Sequence, residues 1–492
     1  MVLLLLLYSA SILLVIFYLQ FRWRYRYILA TAKKLPSPPG WPLIGNALLR
    51  PGDIPCTTKN LFKNLIKFKR RFCFWVGPVP TFVISDPSDV RIILNSSTTL
   101  EKDDKMYKIM KILLGKGLIT AKVSVWKKTR RLINPVFHPT NIENFLPVFN
   151  EVSREVVQHI GVEGEIFDSY DLSFNAALDA ISRTVLSKRS VNKTIRESIH
   201  TGLQNHGELV YESIYKPWLH IKWIAMLVGD KISYTKQLYS EITEYFDKLW
   251  KEELCGEEYY QKQKLGYKDS HCKTLLDVSM DNPSVAGDDH YWRDERHTML
   301  AAGTETLASA LSFFTVILAN HSDVQEKIYR EILQEVKDPS DVTLSDLRSL
   351  RYLEQSLMES MRLYPSIPTI VRKVTRNTKL STLTLPANSR VMIPFYSMGR
   401  DEDLFPDPEI FLPDRFSPDA SEGRHPYAFL PFSGGPRNCI GKTYAMFFMK
   451  TVMVHLLRSY KVHSNVRLCD IEPTLKIVLS SNTKLLVRFE NR

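Results

Sequence analysis

The segment from Pro431 to Gly441, PFSGGPRNCIG, places one cysteine between glycines and two residues after an arginine. Glycines let a backbone approach a flat group closely, and the arginine is a fork-shaped donor suited to a carboxylate. A structural thiol needs neither of them. The pattern around Cys439 therefore predicts a thiolate that binds a flat group inside the protein, and the alternative is a buried cysteine on a glycine turn.

A second group of residues, Ala302-Gly303-Thr304-Glu305-Thr306, lies on a predicted long helix. Glycine destabilises a helix interior by about 0.5–1 kcal/mol relative to alanine, so a glycine here indicates a need for space. An acid beside an alcohol can relay protons to a bound ligand. The alternative is that Thr306 bonds back to its own helix and that Glu305 lies on a solvated face.

Charged and indole side chains recur at helical spacing elsewhere in the chain. Glu359 and Arg362 are three residues apart, and Trp126 and Arg130 are four residues apart, so each pair shares one helix face. Such pairs are common on helices, and taken alone they indicate no chemistry. Their meaning depends on the segments that surround them.

Together these segments resemble the motifs of the cytochrome P-450 family. The haem-ligand loop of that family, F-x-x-G-x-R-x-C-x-G, is matched at Phe432, Gly435, Arg437, Cys439 and Gly441. The resemblance implies that Cys439 is the axial ligand of haem iron, where a thiolate pushes electron density toward the opposite face and favours O–O cleavage. It also implies that Arg437 binds a haem propionate.

The segment AGTET resembles the oxygen-binding groove of the family. By this resemblance Gly303 leaves room for a diatomic ligand, Thr306 is the hydroxyl at the bound oxygen and Glu305 is the carboxylate of a proton relay. WKKTR resembles the C helix, and so Trp126 and Arg130 would bind propionates. Arg372, after PSIPTIV, matches a further propionate-binding arginine.

The segment ESMRLYPSIP resembles the K helix of the family. The family adds an arginine from a PERF-like segment, which corresponds here to Pro413-Asp414-Arg415-Phe416. Glu359, Arg362 and Arg415 are therefore expected to form a structural triad that braces the haem loop.

The resemblance is closest to the family-four clan, which includes fatty-acid ω-hydroxylases and many insect enzymes. This closer resemblance rests on three segments, LLGKGLIT, WKKTRRLINPVFH and RDERHTMLAAG. Many members of this clan have a glutamate before the groove glycine that can form an ester with haem. Ala302 stands there in this chain, so we expect haem b without a covalent link other than the Cys439–iron bond. Leu307 stands where a second Thr or Ser is common.

The N-terminal segment from Val2 to Phe21 has no charged residue, and about 20 apolar residues suffice for a helix to cross a bilayer. Arginines 22, 24 and 26 follow, which places the main body in the cytosol. We therefore predict a transmembrane signal anchor over 1–21, a basic and proline-rich linker over 22–46, and a single haem domain over 47–492.

The predicted fold is mainly α with small β sheets. An uninterrupted helix is predicted from about Asp288 to Asn320, and a charged loop region between Cys255 and Gly287. Short β patterns occur at Phe72–Val76 and Thr81–Ser85. Later β patterns flank ANS, and two more meet at Asn482 in a C-terminal hairpin.

The resemblance implies a haem-thiolate monooxygenase of the endoplasmic reticulum that inserts one atom of O2 into a lipophilic molecule such as a fatty acid, hormone, odorant or xenobiotic. NADPH–cytochrome P-450 reductase would supply electrons, with cytochrome b5 as a further donor. The net charge of +12 suits such an acidic partner. Candidate contacts are Lys127, Lys128, Arg131 and Lys442. Without a dense basic tract or a zinc-finger pattern, nucleic acid is the weakest candidate partner.

Two other functions fit the same motifs. One is a haem-thiolate isomerase or dehydratase that rearranges peroxides and needs no electrons, and the other is a haem-bearing carrier without catalysis. The apolar segment 215–228 resembles the roof of the family's substrate pocket, and segment 101–120 with Thr369–Val371 should line that pocket.

Overall fold

The computed structural model describes residues 2–40, 45–46, 54–76, 78–104, 106–161, 164–186, 191–215, 230–255, 272–282, 289–338 and 340–492. Within these ranges helices dominate and strands form small sheets, as predicted. The roof segment 216–228 and the predicted helix start at 288 lie outside the described residues.

The first half of the described chain is largely helical. Its helices are α1 (Val2–Arg24), α2 (Arg26–Ala32), α3 (Ile54–Lys67), α4 (Pro87–Asn95), α5 (Lys111–Leu114), α6 (Val123–Ile133), α7 (Pro139–Glu143), α8 (Leu146–Ile160), α9 (Ser169–Ile181), α10 (Lys193–Tyr215), α11 (Asp230–Cys255) and α12 (Leu275–Asp281). α12 lies inside the predicted loop region, where Thr274 and Asp277 form a capping box at its start.

The second half contains the longest of the described helices. Its helices are α13 (Asp289–Asn320), α14 (Ser322–Glu335), α15 (Leu344–Ser349), α16 (Arg351–Leu363), α17 (Phe395–Met398), α18 (Pro418–Ser421) and α19 (Lys442–Ser459). At 1.5 Å per residue the 32 residues of α13 span about 48 Å, enough to cross the domain. α9 and α16 pack against α13, and α8 packs against α19.

The strands form four sheets in the described chain. The strands are β1 (Arg71–Val76), β2 (Val79–Ile84), β3 (Ile166–Asp168), β4 (Ile370–Lys373), β5 (Thr378–Lys379), β6 (Thr384–Leu385), β7 (Arg390–Ile393), β8 (Tyr460–His463), β9 (Pro473–Leu475), β10 (Leu479–Ser481) and β11 (Leu486–Asn491). Their orders are β1-β2-β7-β4, β5-β6, β3-β11-β8 and β10-β9. β1 and β2 confirm the early β pattern.

The predicted hairpin at Asn482 is wrong. β10 turns back on β9, where the Lys476 N–H donates to the Val478 carbonyl, and it does not pair with β11. β11 instead lies between β3 and β8, where it buries Val487 and Phe489. Burying those two side chains in the main core decides the pairing, and a turn residue alone does not.

The N-terminal helix α1 exposes apolar side chains, among them Tyr8, Leu13 and Phe17. α2 then buries Ile28 and Leu29 against the body. Among the described residues one segment, His290–Asn320, is long and apolar enough to cross a membrane, and most of it is buried within the protein as a core helix. The predicted domain boundaries stay predictions.

Candidate active site

The cysteine loop is held by its own backbone and by α4. The Cys439 N–H donates to the Phe432 carbonyl at 2.9 Å, and Gly441 is the residue before the first turn of α19. Gly435 has φ +70°, and a Cβ there would clash with the carbonyl oxygen of Leu94. Only glycine fits that position, since it tolerates both the left-handed conformation and the close approach.

The thiol of Cys439 lies in an environment with opposing influences. Cys439 is exposed as a whole residue, but the surrounding protein desolvates its sulfur. This burial raises the pKa of the thiol. A backbone hydrogen bond from Gly441 and the charges of Arg130 and Lys442 act in the opposite direction. These three groups stabilise a thiolate, which is the form that binds a metal.

Arg437 projects from the loop toward α6. Its Nη2 donates to the Ala121 carbonyl at 2.5 Å, and its guanidinium lies 4.8 Å from the centre of the buried Trp126 ring. Burial, with the positive charge of Arg372 next in size, lowers the pKa of Arg437 to about 10. The loop therefore carries a strongly desolvated cation beside an indole.

Two more cations lie close to Arg437. Arg372 on β4 is buried, and the Lys102 Nζ donates to the Tyr107 hydroxyl at 3.1 Å. Burial, followed by the charges of Arg372 and Arg437, lowers the pKa of Lys102. Glu101 is a nearby carboxylate, but both of its oxygens accept from the Val123 N–H.

The two buried arginines of this group have donor nitrogens without hydrogen-bond partners in the described part of the chain. Arg372 Nη1 and Arg437 Nε and Nη1 have no hydrogen-bond partner among the residues that the structure describes. Desolvated positive charge is costly unless an anion compensates it. The cluster therefore fits a ligand with two carboxylates, and haem carries two propionates, so the residues present fit the predicted cofactor.

Arg130 makes hydrogen bonds within the protein that the sequence analysis does not predict. Its Nη1 and Nη2 donate to the backbone carbonyl and side-chain oxygen of Asn438, at 2.9 and 3.0 Å, and its Nε donates to Asn134. Its bond to Asn438 places a cation one residue from Cys439. The structure thus places Arg130 against the cysteine loop itself, and a propionate contact stays a prediction.

The groove residues lie in the middle of α13. A Cβ at Gly303 would lie 2.5 Å from Ile181 Cδ1, so the missing side chain lets α9 approach closely. Space for a diatomic ligand at Gly303 stays a prediction. The Thr306 hydroxyl donates to the Ala302 carbonyl at 2.6 Å, as in the first part of the alternative for this motif.

Glu305 contradicts the second part of that alternative, because it is buried and not solvated. Burial raises the pKa of Glu305 to about 7, and the charge of Lys476 acts against this increase. A carboxyl with this pKa is present in both protonation states near neutral pH. It can therefore accept and release a proton one residue before Thr306 on α13.

The K-helix motif forms the expected triad. Arg362 Nε and Nη2 donate to the two carboxylate oxygens of Glu359, and Arg415 Nε lies 3.3 Å from the same carboxylate. Arg362 also donates to the carbonyls of Gly399 and Pro408. The triad thus joins α16 to the segment that leads to the cysteine loop.

Lys102 and Tyr107 lie in segment 101–120, which the resemblance places at the substrate pocket, but the sequence analysis assigns neither residue to cofactor binding. They lie in the charged stretch LEKDDKMYK, and its composition alone is typical of a solvated surface segment. The sequence carries one usable signal, a tyrosine five residues after a lysine. It is too weak to distinguish a buried site from a surface.

Known proteins of one family are similar to this chain. The family model described as Cytochrome P-450 matches residues 35–488. "Probable cytochrome P-450 4aa1" of Drosophila melanogaster is 31% identical, with 93% of this chain and 90% of that protein covered. "Cytochrome P-450 4V2" of Homo sapiens is 29% identical, with 92% and 88% covered. "Cytochrome P-450 4c21" of Blattella germanica is 30% identical, with 87% of each covered. These names confirm the resemblance to family four, including its insect members.

Proposed function

Because the chain belongs to the cytochrome P-450 family, we propose that it inserts one oxygen atom of O2 into a lipophilic small molecule with electrons delivered from NADPH by a flavoprotein reductase. Enzymes of this family are monooxygenases that use thiolate-ligated haem b, and this chain is one of them. The single observation that carries the proposal is Cys439 in its glycine loop close to buried arginines with donor nitrogens that lack a partner among the described residues.

Haem, when bound, supplies the activation of O2 that no amino-acid side chain can perform. Cys439 would ligate its iron, and Arg437, Arg372 and Trp126 would hold its propionates, with Lys102 as an addition from the structure. Phe432, Gly435 and Gly441 give the loop its shape, so we assign them to cofactor binding as well.

Arg130 has a role in this proposal that its position supports directly. Its bonds to Asn438 hold the residue next to Cys439, and its charge lowers the pKa of the Cys439 thiol against the larger effect of burial. We propose that it stabilises the thiolate and fixes the loop.

We assign proton transfer to Glu305 and Thr306. The Thr306 hydroxyl gives its own proton onward as it takes one from Glu305, and Glu305 then takes another from solvent, which its pKa of about 7 permits near neutral pH. For this, the Thr306 hydroxyl must turn away from the Ala302 carbonyl toward the bound ligand. We also assign Gly303 to the groove, where the resemblance implies that it leaves room for a diatomic ligand.

We place an apolar substrate pocket against segment 101–120 and β4. Leu113, Leu114 and Leu118 of segment 101–120 are buried, and so is Val371 on β4. Such walls favour a fatty acid, hormone, odorant or xenobiotic over a polar metabolite. Terminal selectivity is not part of the proposal, since Ala302 replaces the glutamate that many clan members carry.

We place the enzyme on the endoplasmic reticulum membrane, with α1 as its single span and the body in the cytosol. The exposed apolar side chains of α1 and the arginines that follow them support this placement. Four exposed cations on α6 and α19 support docking of an acidic reductase, with cytochrome b5 as a second donor: Lys127, Lys128, Arg131 and Lys442.

The deciding experiment combines two measurements on the membrane-expressed protein. The carbon-monoxide difference spectrum of the reduced protein should show the thiolate-type band, Cys439→Ser should lose it, and the exposed Cys469→Ser should keep it. Oxygen uptake with purified reductase should then require NADPH. Peroxide rearrangement without NADPH would favour the isomerase, and ligand binding without any turnover would favour the carrier.

A further inference from the structure

A polar cleft of about 300 Å³ lies beside α9, α10 and the C-terminal strands. Its walls carry hydroxyl, imidazole, amide and ammonium groups, and also the carboxylates of Asp168 and Asp171. Those used below are Tyr170, Gln204, Lys476 and Lys484. The cleft is separate from the cysteine loop, and the roles assigned above do not use it.

Three side chains of the cleft form a hydrogen-bonded chain. Lys476 Nζ donates to Gln204 Oε1 at 2.5 Å, and Gln204 Nε2 donates to the Tyr170 hydroxyl at 2.9 Å. Lys476 Nζ also lies 3.3 Å from the carboxylate of Glu208, with one fifth of the lysine side chain exposed. Lys476 is therefore held from two sides at the boundary between solvent and core.

The turn that carries Lys476 is fixed on α13 close to Glu305. Ser309 Oγ donates to the Leu479 carbonyl at 2.6 Å. Glu305 is four residues before Ser309 and so lies on the same face of the helix. A Cβ at Gly207 would lie only 3.0 Å from Lys476 Cβ, so α10 presses the turn from the other side.

The electrostatics around Glu305 agree with this placement. Lys476 in the turn lowers the pKa of Glu305 against the larger effect of burial. Burial, and then the charge of Glu305, raises the pKa of Tyr170 on α9 and of Tyr239 on α11. On α10, buried His206 packs against Tyr239, and burial lowers its pKa to about 3, so it is neutral.

We propose that this cleft is the proton entry of the enzyme, and that Lys476 is a positioning residue that sets the proton affinity of Glu305 from the solvent side. The inference rests on the monooxygenase function proposed above. Water in the cleft carries a proton from bulk solvent to the Glu305 carboxylate, which becomes the neutral acid. That proton then moves to the Thr306 oxygen as the hydroxyl gives its own proton onward, so that the hydroxyl and the carboxylate both form again. Lys476 stays an ammonium throughout, and Gln204 and Glu208 hold it in place.

The direct test is an infrared titration of the haem-loaded protein, which needs no turnover. The carboxylic-acid band of Glu305 is identified by its loss in Glu305→Gln. Lys476→Met should raise the pKa of that band by roughly one unit, because a nearby positive charge is removed. Lys476→Arg should restore the wild-type value. Lys484→Met, a lysine of the same cleft, is the matched control and should leave it unchanged.

A second test follows turnover. The pH midpoint of NADPH oxidation with purified reductase should rise in Lys476→Met by the same amount as the infrared pKa. Lys476→Met added to Glu305→Gln should produce no further change. Equal infrared pKa values in wild type, Lys476→Met and Lys484→Met would overturn the inference. Absence of NADPH-dependent activity in wild type would instead overturn the monooxygenase proposal, and the infrared titration would still decide the role of Lys476.

Discussion

Arg362 donates from Nε and Nη2 to the two carboxylate oxygens of Glu359, each at 2.7 Å, and solvent reaches neither side chain. Arg362 also binds the carbonyls of Gly399, Pro408 and Ile410. The pair therefore fixes the backbone of the segment before the cysteine loop. Its bidentate geometry uses a property that lysine lacks.

Removing one partner of this pair should prevent assembly of the haem site. Glu359→Gln leaves a buried guanidinium uncompensated, which costs about 3–5 kcal/mol of unfolding free energy. Arg362→Lys should lower haem content and stability almost as much, because it keeps the positive charge but loses the bidentate hydrogen bonds of the guanidinium. Haem content per polypeptide and the thermal unfolding temperature measure both effects.

The matched control for that prediction is a surface pair. Arg330 lies 3.3 Å from Glu326 one helical turn away, and its side chain is largely exposed. Arg330→Ala should change stability by less than about 1 kcal/mol and leave haem content unchanged. Equal haem content in Glu359→Gln and Arg330→Ala would contradict the bracing role of the triad.

Gly435→Ala should damage the cysteine loop more than an equivalent change elsewhere. Gly435 and Gly423 both have positive φ, at +70° and +77°, but a Cβ would meet the Leu94 carbonyl only at 435 and finds nothing within 4 Å at 423. Strained backbone alone costs about 1–3 kcal/mol. We expect Gly435→Ala to lose haem and Gly423→Ala to retain it, as measured by the thiolate-type band. The same haem content in both would show that the contact with Leu94 is unimportant.

The sequence was sufficient for features that depend on residue type at fixed spacing. The cysteine loop, the Glu359–Arg362 pair and the long helix are of this kind, because a backbone conformation, a helix face or a period decides each of them. Spacing does not reveal which partner a side chain finds. Arg130 lies on the expected face, yet it bonds to Asn438, a residue 308 positions away.

Other features depend on competition between distant segments. β11 pairs with β3 and β8 because its buried residues complete the main core, although Asn482 offered a local turn. Lys102 is another case. It belongs to a charged run, and only the approach of β4 and the cysteine loop turns it into part of a cation cluster.

The haem of this enzyme should be removable without breaking a carbon–oxygen bond. Ala302 precedes the groove glycine, so no carboxylate is available at that position for an ester. Acidified organic solvent should extract all haem from wild type, as followed by chromatography with mass detection. Ala302→Glu should retain a fraction after turnover. Retention in wild type would show that another residue forms the link.

Reductase docking should depend on the exposed cations of α6 and α19. Lys127→Glu combined with Lys128→Glu should lower the rate of flavin-to-haem electron transfer on the order of tenfold at low salt, with a smaller effect at high salt. Lys484→Glu makes the same kind of charge change in the polar cleft and should leave the rate unchanged. Stopped-flow reduction under carbon monoxide measures the rate. An equal loss in the Lys484 variant would mean that net charge, and not this surface, governs docking.

Lys102→Met should have opposite effects on the haem-bound and haem-free protein. Without haem, burial and the charges of Arg372 and Arg437 make it unfavourable for Lys102 to carry its charge, so its removal relieves this cost and raises the thermal unfolding temperature. With haem, the same lysine compensates a propionate, and a charge-assisted hydrogen bond is lost, which speeds haem transfer to an acceptor protein by roughly tenfold or more. Lys111→Met, which removes a surface partner of Asp104, should change neither quantity. A Lys102→Met variant that destabilises both forms would identify the lysine as a structural residue without a role in cofactor binding.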